Sequence, residues 1–402
     1  MSKTKTGYSR RKFISDSFAG LTAFGAFNTN KNFSIDRIIP AEKQENTVIN
    51  RTLGRTGLSI PVVSMGVMNS DNPELIKSSY DEGVRLFDTA KTYQNGRSEE
   101  AVGKVINRFD LREDVIIQTK ILHPVGKGYG RVDGPLSEEQ ITQMFLDHFE
   151  SSLSRLQMDY VDILFYHSVD AVYQVHDPGV RKALDRIKEE KKARFLGVST
   201  HQLTDVVDAV IRAGVFDVIM AQINITMDDD EKHLKAIEKA ASEGIGIIAM
   251  KTQGGNRLAS GIMNHRAVLK WVLHNENITT AIPGYTNFDQ MSENFSAAYD
   301  LEYTDDEKKF LQDKNVRIGM QFCRQCRKCL DTCPNGVDIP GLMRTHMYAK
   351  GYTNFDQARF TIDSIPEDKS LINCRSCSDC SVKCVNQIEV KNNINELKLI
   401  YS

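Results

Sequence analysis

Short β-branched segments alternate with longer amphipathic segments from about residue 51 to about residue 300. This alternation is typical of parallel strands that are connected by helices. Eight candidate strands occur at 62–67, 85–90, 115–120, 160–167, 194–199, 217–222, 246–251 and 279–284. Eight such units over ~250 residues predict an α/β fold, a (β/α)8 barrel. A doubly wound sheet is disfavoured because no Gly-x-Gly-x-x-Gly follows the first strand.

The composition is that of a large folded protein. With 402 residues and 41% hydrophobic content, the chain can bury a sizeable core, which excludes a disordered or small disulfide-stapled protein. A net charge of -2 gives no broad electrostatic reason to bind nucleic acid. No uninterrupted apolar run approaches the ~18 residues of a membrane-spanning helix. We therefore expect no nucleic-acid partner and no transmembrane segment.

The first 40 residues differ from the rest, with seven basic and two acidic side chains. The motif SRRKFI at 9–14 precedes a mildly apolar run at 18–27 and resembles a twin-arginine export signal. That resemblance implies export to the periplasm. Residues 1–40 are then a targeting segment and are not expected to be part of the fold. The alternative is a basic N-terminal tail without a targeting role, and the protein would then be cytoplasmic.

Polar side chains occupy the ends of three consecutive predicted strands, where the chemistry of a barrel is located. Asp88, Lys120 and His167 lie at the ends of the second, third and fourth strands, and Tyr93 follows Asp88 by five residues. A tyrosine has a pKa of ~10, so an ammonium group nearby is expected to stabilise its phenolate, and a carboxylate to keep that ammonium charged. The group predicts proton delivery to an oxygen whose carbon has just received a hydride.

The sequence here resembles the aldo-keto reductase family. The resemblance is carried by segments 51–67, 87–93 (FDTAKTY), 118–120 (QTK), 165–167 (FYH), 197–200 (GVST) and 282–294. It implies that a small-molecule carbonyl is reduced, or an alcohol oxidised, with NAD(P)H. It also implies that Tyr93 is the acid, that Lys120 and Asp88 tune it, and that His167 orients the substrate.

By the same resemblance, Ser199 and Gln222 would hold the nicotinamide amide. The asparagine that neighbours this serine in many members is replaced by Thr200. The family's aromatic residue, which stacks on the nicotinamide after the seventh strand, corresponds here to Met250 or Lys251.

Glu293 and Asn294 correspond to the family's adenine contacts. The residues that bind the 2′-phosphate in the family are replaced here by residues of a different chemical type. Gly284 and Tyr285 replace a Lys-Ser pair, and Gln290 replaces an arginine. Loss of two fixed cations weakens a phosphate site considerably. We therefore expect a reduced preference for NADP over NAD.

All eight cysteines lie between residues 323 and 384, and none lies elsewhere. They form two runs with the spacing C-x2-C-x2-C-x3-C, at Cys323, Cys326, Cys329 and Cys333 and at Cys374, Cys377, Cys380 and Cys384. This spacing predicts two 4Fe-4S clusters, each held by four thiolates. Zinc sites and, for an exported protein, disulfides are the alternatives.

In bacterial ferredoxins with this spacing, the fourth cysteine of each run binds the other cluster. The resemblance implies one cluster on Cys323, Cys326, Cys329 and Cys384, and a second on Cys374, Cys377, Cys380 and Cys333. A helical pattern between the runs, IPGLMRTHMYAKGY, predicts a small, mainly helical dicluster domain.

The predicted organisation is a leader at 1–40, a barrel at 51–302 and a 4Fe-4S domain at 303–402. We expect an exported aldo-keto reductase-like oxidoreductase that exchanges electrons with a redox partner protein. Outside the cytoplasm, either the nucleotide stays bound or electrons reach the barrel through the clusters. The alternative is a non-catalytic electron-transfer or redox-sensing protein whose barrel binds a ligand.

Overall fold

The computed structural model describes residues 47–227, 230–253, 263–313, 316, 323–377 and 379–401. The predicted leader lies outside these residues. Among the described helices, none has the length and apolar character needed to cross a membrane.

Eight parallel strands, hydrogen-bonded in sequence order, form the centre of the fold. Parallel bridges from Val63 to Ala281 and from Gly66 to Gly284 join the first strand to the last. An antiparallel hairpin precedes them, formed by β1 (Asn50–Thr52) and β2 (Ser59–Pro61). The barrel strands are β3 (Met65–Gly66), β4 (Leu86–Asp88), β5 (Ile116–Leu122), β6 (Val161–His167), β7 (Ala193–Thr200), β8 (Val218–Gln222), β9 (Gly246–Met250) and β10 (Thr280–Ala281). Each overlaps one predicted strand, and the (β/α)8 prediction is confirmed.

Helices connect the strands and cover their outer face. The helices of this part of the chain are α1 (Pro73–Glu82), α2 (Arg97–Arg108), α3 (Glu138–Leu156), α4 (Pro178–Glu189), α5 (Leu203–Ala213), α6 (Glu231–Ser242), α7 (His265–Leu273), α8 (Phe288–Ser296) and α9 (Asp305–Gln312). A single helical turn at Val172–Val175 precedes α4. The helix α3 shows how the sequence sets these bounds. Ser137 caps its first turn together with Gln140, and Gln157 ends it in a left-handed conformation.

The C-terminal region is helical, as predicted. It contains α10 (Ile339–His346), a π-helical turn (Met347–Gly351), α11 (Phe355–Asp363) and α12 (Val390–Tyr401). These elements bury a separate apolar cluster that includes Leu342, Ile394 and Leu397. The preceding α9 packs on α7 instead, where Glu307 accepts hydrogen bonds from Arg266 and Lys270. Residues 305–312 of the predicted second domain therefore contact the barrel.

A buried carboxylate links three neighbouring strands at the amino-terminal end of the barrel. Asp162 is 1% exposed and accepts hydrogen bonds from the Ile117 amide at 2.9 Å and from Arg194 at 2.7 Å. The Arg112 guanidinium lies 3.0 Å from Oδ2, the oxygen that also accepts from the Ile117 amide. Asp162, on β6, thus accepts hydrogen bonds from residues of both neighbouring strands, β5 and β7.

We expect Asp162→Ala to lower the free energy of unfolding by ~3–5 kcal/mol, because it leaves buried donors unpaired. Urea titration of the anaerobic protein measures this change. Asp185→Ala, which removes an exposed pair with Arg181, is the control and should cost less than ~1 kcal/mol. Equal urea midpoints for the two variants would contradict the prediction.

Candidate active site

Four side chains, from β4, the turn that follows it, β5 and β6, lie together at the mouth of the barrel. Lys120 Nζ donates to Asp88 Oδ1 at 2.5 Å and lies 4.7 Å from the centre of the Tyr93 ring. The Tyr93 and His167 rings meet edge to face, with their centres 6.1 Å apart. The structure therefore brings the four predicted residues into one group. Lys120 does not end its strand, however, because β5 continues to Leu122.

The turn that carries Tyr93 has an unusual backbone. Gln94 and Asn95 have φ values of 50° and 57°, and Gly96 has 92°. A Cβ atom at Gly96 would lie 2.7 Å from the Arg155 side chain, so a glycine is required there. This tight turn returns the chain to α2 and leaves Tyr93 buried beside β4.

The Lys120–Asp88 pair is buried and held by further hydrogen bonds. Burial lowers the pKa of Lys120 and raises that of Asp88, and the attraction between the two opposes both shifts. Lys120 also donates to the Thr89 carbonyl at 2.8 Å, and Gln118 donates to Asp88 Oδ1 at 2.7 Å. These contacts fix the ammonium group beside the Tyr93 ring.

The Lys120 ammonium beside Tyr93 does not bring the pKa of the phenol below its ordinary value. Burial first, and then the charges of Asp88 and Tyr348, raise the pKa of Tyr93 well above its ordinary value of 10.0. Burial disfavours the phenolate more than the Lys120 ammonium favours it, and Asp88, 2.5 Å from Lys120, offsets part of that positive charge. Tyr93 is therefore a protonated phenol at neutral pH, which suits a proton donor.

His167 is an uncharged imidazole with an unsatisfied nitrogen. Burial and then the Lys120 charge lower its pKa well below 6.5. Its Nδ1 has no hydrogen-bond partner among the described residues. Because buried polar atoms ordinarily have partners, this nitrogen is available to a bound ligand.

A first cavity of about 160 Å³ runs from Asp88 and Tyr93, past Met250 and Lys251, to the first turns of α8. Glu293 and Asn294, the predicted adenine contacts, line its far end. Lys251 is the only lysine or arginine among the described residues that line this cavity.

The predicted nicotinamide contacts lie at the ends of β7 and β8. Ser199 Oγ accepts a hydrogen bond from the Ser168 amide at 3.0 Å. Gln222 Nε2 donates to the carbonyl of Cys323 at 3.3 Å, so the cysteine-bearing segment engages this amide. Neither contact was predicted from the sequence.

Gly284, Tyr285 and Gln290, which stand where the family binds the 2′-phosphate, carry no positive charge. Tyr285 is buried in the core and donates to Ser79 Oγ at 2.8 Å. Gln290 Oε1 accepts a hydrogen bond from the Thr286 amide at 2.9 Å, so its side chain binds the segment just before α8. The replaced residues Gly284, Tyr285 and Gln290 therefore bring no positive charge to this end of the cavity.

A second cavity of about 220 Å³ lies on the other side of Tyr93 and His167. The barrel forms its floor, and α10, the π-helical turn and α11 form its roof, through Arg344, Tyr348 and Phe360. Tyr93 lines both cavities.

The cysteines lie in two sets that combine both sequence runs. Cys333, Cys374, Cys377 and Cys380 line a cavity of about 170 Å³. Burial, together with repulsion from Cys329, Cys326 and Cys384, raises the pKa of Cys323 to about 12. All eight are free thiols, and no three His, Cys, Asp or Glu side chains of the described residues converge on a single ion site. Four thiols spread around a cavity fit a multi-atom cluster.

The sequence profile of the aldo/keto reductase family matches residues 64–266, just over half of the chain. The chain belongs to the aldo/keto reductase family. The profile of a 4Fe-4S dicluster domain matches residues 322–389. An iron–sulfur domain therefore follows the reductase fold, in agreement with the sequence prediction.

Similar proteins cover most of the reductase part. L-galactose dehydrogenase of Arabidopsis thaliana is 26% identical over 295 residues, which are 63% of this chain and 88% of that protein. A probable voltage-gated potassium channel subunit beta of the same plant is 29% identical and aligns with 53% of this chain and 65% of its own length. The structure of an aldo-keto reductase from Bacillus halodurans in its holo form has a TM-score of 0.54 at 20% identity and covers 67% of this chain and 97% of its own.

Sequence reasoning missed several residues of this aldo/keto reductase site. Gln118 lies two residues before Lys120 on β5, so the alternation of a strand places both on one face and could have identified it. Arg344 and Tyr348 carry no comparable signal, because they reach the barrel only through tertiary packing.

Proposed function

We propose that the chain is an NAD(P)-linked oxidoreductase that reduces the carbonyl group, or oxidises the alcohol, of a small molecule. In the same proposal, two 4Fe-4S clusters exchange electrons with a redox partner protein. The observation that carries the proposal is the position of Tyr93 between two cavities, in contact with Lys120 and His167. Membership of the aldo/keto reductase family supports an oxidoreductase.

Tyr93 is the proton donor in this scheme. A bound NAD(P)H would supply a hydride to the carbonyl carbon, and Tyr93 gives its phenolic proton to the oxygen, which yields the alcohol. His167 orients that oxygen through its ring nitrogen. Lys120 stabilises the negative charge that Tyr93 acquires when it gives up the proton, and Asp88 and Thr89 hold Lys120 in place.

The cysteine sets would hold the clusters and exchange single electrons with the partner. A chain of contacts links Cys323, and with it the set that also includes Cys326, Cys329 and Cys384, to the barrel mouth. The Gln325 amide donates to Cys323 Sγ at 3.4 Å, and Gln202 of the barrel donates to the Gln325 carbonyl at 2.8 Å. Hydrogen bonds to ligand sulfurs tune the potential of a cluster. The state of the barrel mouth would thus influence the nearer cluster.

The contact between Gln222 and Cys323 favours a second candidate. If the cysteine-bearing segment keeps Gln222 engaged, the barrel would bind no nicotinamide and the protein would be a non-catalytic carrier or redox sensor. The similarity to a protein named as a potassium channel subunit is compatible with a role other than catalysis.

Anaerobic titration of the purified protein with NADH and then NADPH separates the two candidates. We expect the visible absorbance of the clusters to bleach with either nucleotide, because one NAD(P)H can give its two electrons to the two clusters, one each, and release a proton. The two nucleotides should act at similar concentrations, because Gly284, Tyr285 and Gln290 offer a 2′-phosphate no cation. Calorimetry gives the two affinities independently. Clusters that only a protein donor reduces, with no nucleotide bound, would favour the carrier. Submicromolar NADPH binding without measurable NADH binding would contradict the predicted loss of NADP preference.

A further inference from the structure

The second cavity is enclosed by residues from both parts of the protein. Tyr93, His167 and His201 line it from the barrel, and Arg344 and Phe360 from the helices that follow the first cysteine run. At about 220 Å³ it has room for a small organic molecule. The iron–sulfur domain therefore supplies part of the wall against which a substrate would lie.

Positive charge predominates in this wall. Four side chains with permanent positive charge line the cavity, namely Lys127, Arg131, Lys251 and Arg344. Asp170 is the only carboxylate among the described lining residues. It accepts from the His201 amide at 2.8 Å and from the Thr200 hydroxyl at 3.3 Å, so it already has partners.

Arg344 has no close ion pair with a described residue, although its charge favours the ionised form of Asp170. Lys127 pairs with Asp133, Lys251 donates to the Tyr348 hydroxyl at 2.8 Å, and Arg131 donates to carbonyls of its own loop. The guanidinium of Arg344 instead lies 3.5 Å from His201 Nδ1. No carboxylate of the described part of the chain lies within 4.0 Å of it.

Two buried nitrogens of this cavity have no partner. His201 Nε2 and His167 Nδ1 make no hydrogen bond among the described residues, and the His201 side chain is 8% exposed. Burial lowers the pKa of His201 to about 4, so this ring is neutral at pH 7. Unpaired buried polar atoms in a wall with an excess of positive charge indicate a polar, anionic ligand.

We propose that the second cavity takes a small organic acid that carries a carbonyl or hydroxyl group, and that Arg344 binds its carboxylate. This inference rests on the proposed function, which places the reacting oxygen at Tyr93 and His167. A planar guanidinium matches a carboxylate with two parallel hydrogen bonds, which a lysine does not. The carboxylate is unchanged in the reaction. The iron–sulfur domain thus determines which substrates the barrel accepts.

Binding of oxamate, an unreactive 2-oxo acid analogue, to the anaerobically purified protein tests the inference without turnover. We expect oxamate to bind and its uncharged counterpart oxamide to bind at least ~10-fold more weakly. Arg344→Met should weaken oxamate binding ~10–100-fold and leave oxamide unchanged, and Arg344→Lys should restore part of the loss. Arg359→Met, which removes an exposed arginine paired with Asp363 on α11, is the matched control and should bind oxamate normally.

Either of two binding results would overturn the inference. One is oxamate binding that is equal in the wild-type protein and in a folded Arg344→Met variant with full iron content. The other is equal binding of oxamate and oxamide by the wild-type protein, a comparison that needs no variant. Turnover separates this inference from the proposed function. Reduction of neutral ketones as fast as 2-oxo acids contradicts only the inference, whereas Arg344-dependent oxamate binding without any carbonyl reduction supports it and contradicts the function.

Discussion

Replacing Tyr93 by phenylalanine is expected to lower carbonyl reduction ~10²–10⁴-fold, the usual contribution of a positioned general acid. Phenylalanine keeps the ring that packs against Lys120 and His167 and removes only the hydroxyl. The fold and the iron content should therefore be unchanged. Anaerobic assays of nucleotide oxidation with a carbonyl substrate measure the effect.

The pKa of Tyr93 adds a pH dependence to the same experiment. Because burial raises this pKa well above 10.0, the ordinary pKa of tyrosine, the phenol remains protonated when the pH reaches 10.0. Reduction should therefore show no loss from Tyr93 ionisation up to pH ~10. Alcohol oxidation requires the deprotonated form and should become faster as the pH rises.

The matched control for this variant is Tyr80→Phe. Tyr80 lies on α1, and its hydroxyl donates to Asp114 at 3.0 Å on the outside of the barrel. The Tyr80→Phe variant also loses one phenolic hydroxyl, and Tyr80 lines neither cavity. Wild-type turnover in a Tyr93→Phe variant would remove Tyr93 from the mechanism, even though Lys120 and His167 lie beside it.

The barrel and its polar mouth were predictable because each depends on a local pattern. The alternation of strand and helix segments located all eight strands, and the barrel rule then placed Asp88, Lys120 and His167 at one rim. Cysteine spacing predicted the dicluster domain in the same way. In each case the informative residues are close together in the sequence or repeat at a fixed interval.

The contacts between the barrel and the iron–sulfur domain were not predictable. Gln222 and Cys323 are 101 residues apart, and neither segment indicates that it meets the other. The raised pKa of Tyr93 was not predictable for a related reason, since the burial that raises it depends on tertiary packing. Tyr285 was interpreted only as a missing phosphate contact, but its hydroxyl bonds to Ser79 inside the core.

The two cysteine runs are interleaved in space, and this arrangement predicts which thiols would share a cluster. Thr332, beside the last cysteine of the first run, accepts hydrogen bonds from Ser381 and from the Lys383 amide, each at 3.3 Å. These contacts bring Cys384 to the first run. Cys333 in turn lines the cavity formed by Cys374, Cys377 and Cys380.

We therefore expect pairs of cysteine variants to differ according to the set they affect. Cys323→Ala with Cys384→Ala removes two ligands of one cluster and should leave ~4 of ~8 irons per chain. Cys323→Ala with Cys333→Ala removes one ligand from each cluster, so both clusters should be lost or severely depleted. The two double variants lose the same number of thiols, which makes each the control for the other. Iron and sulfide analysis of anaerobic protein measures the difference, and the reverse pattern would show that each run holds its own cluster.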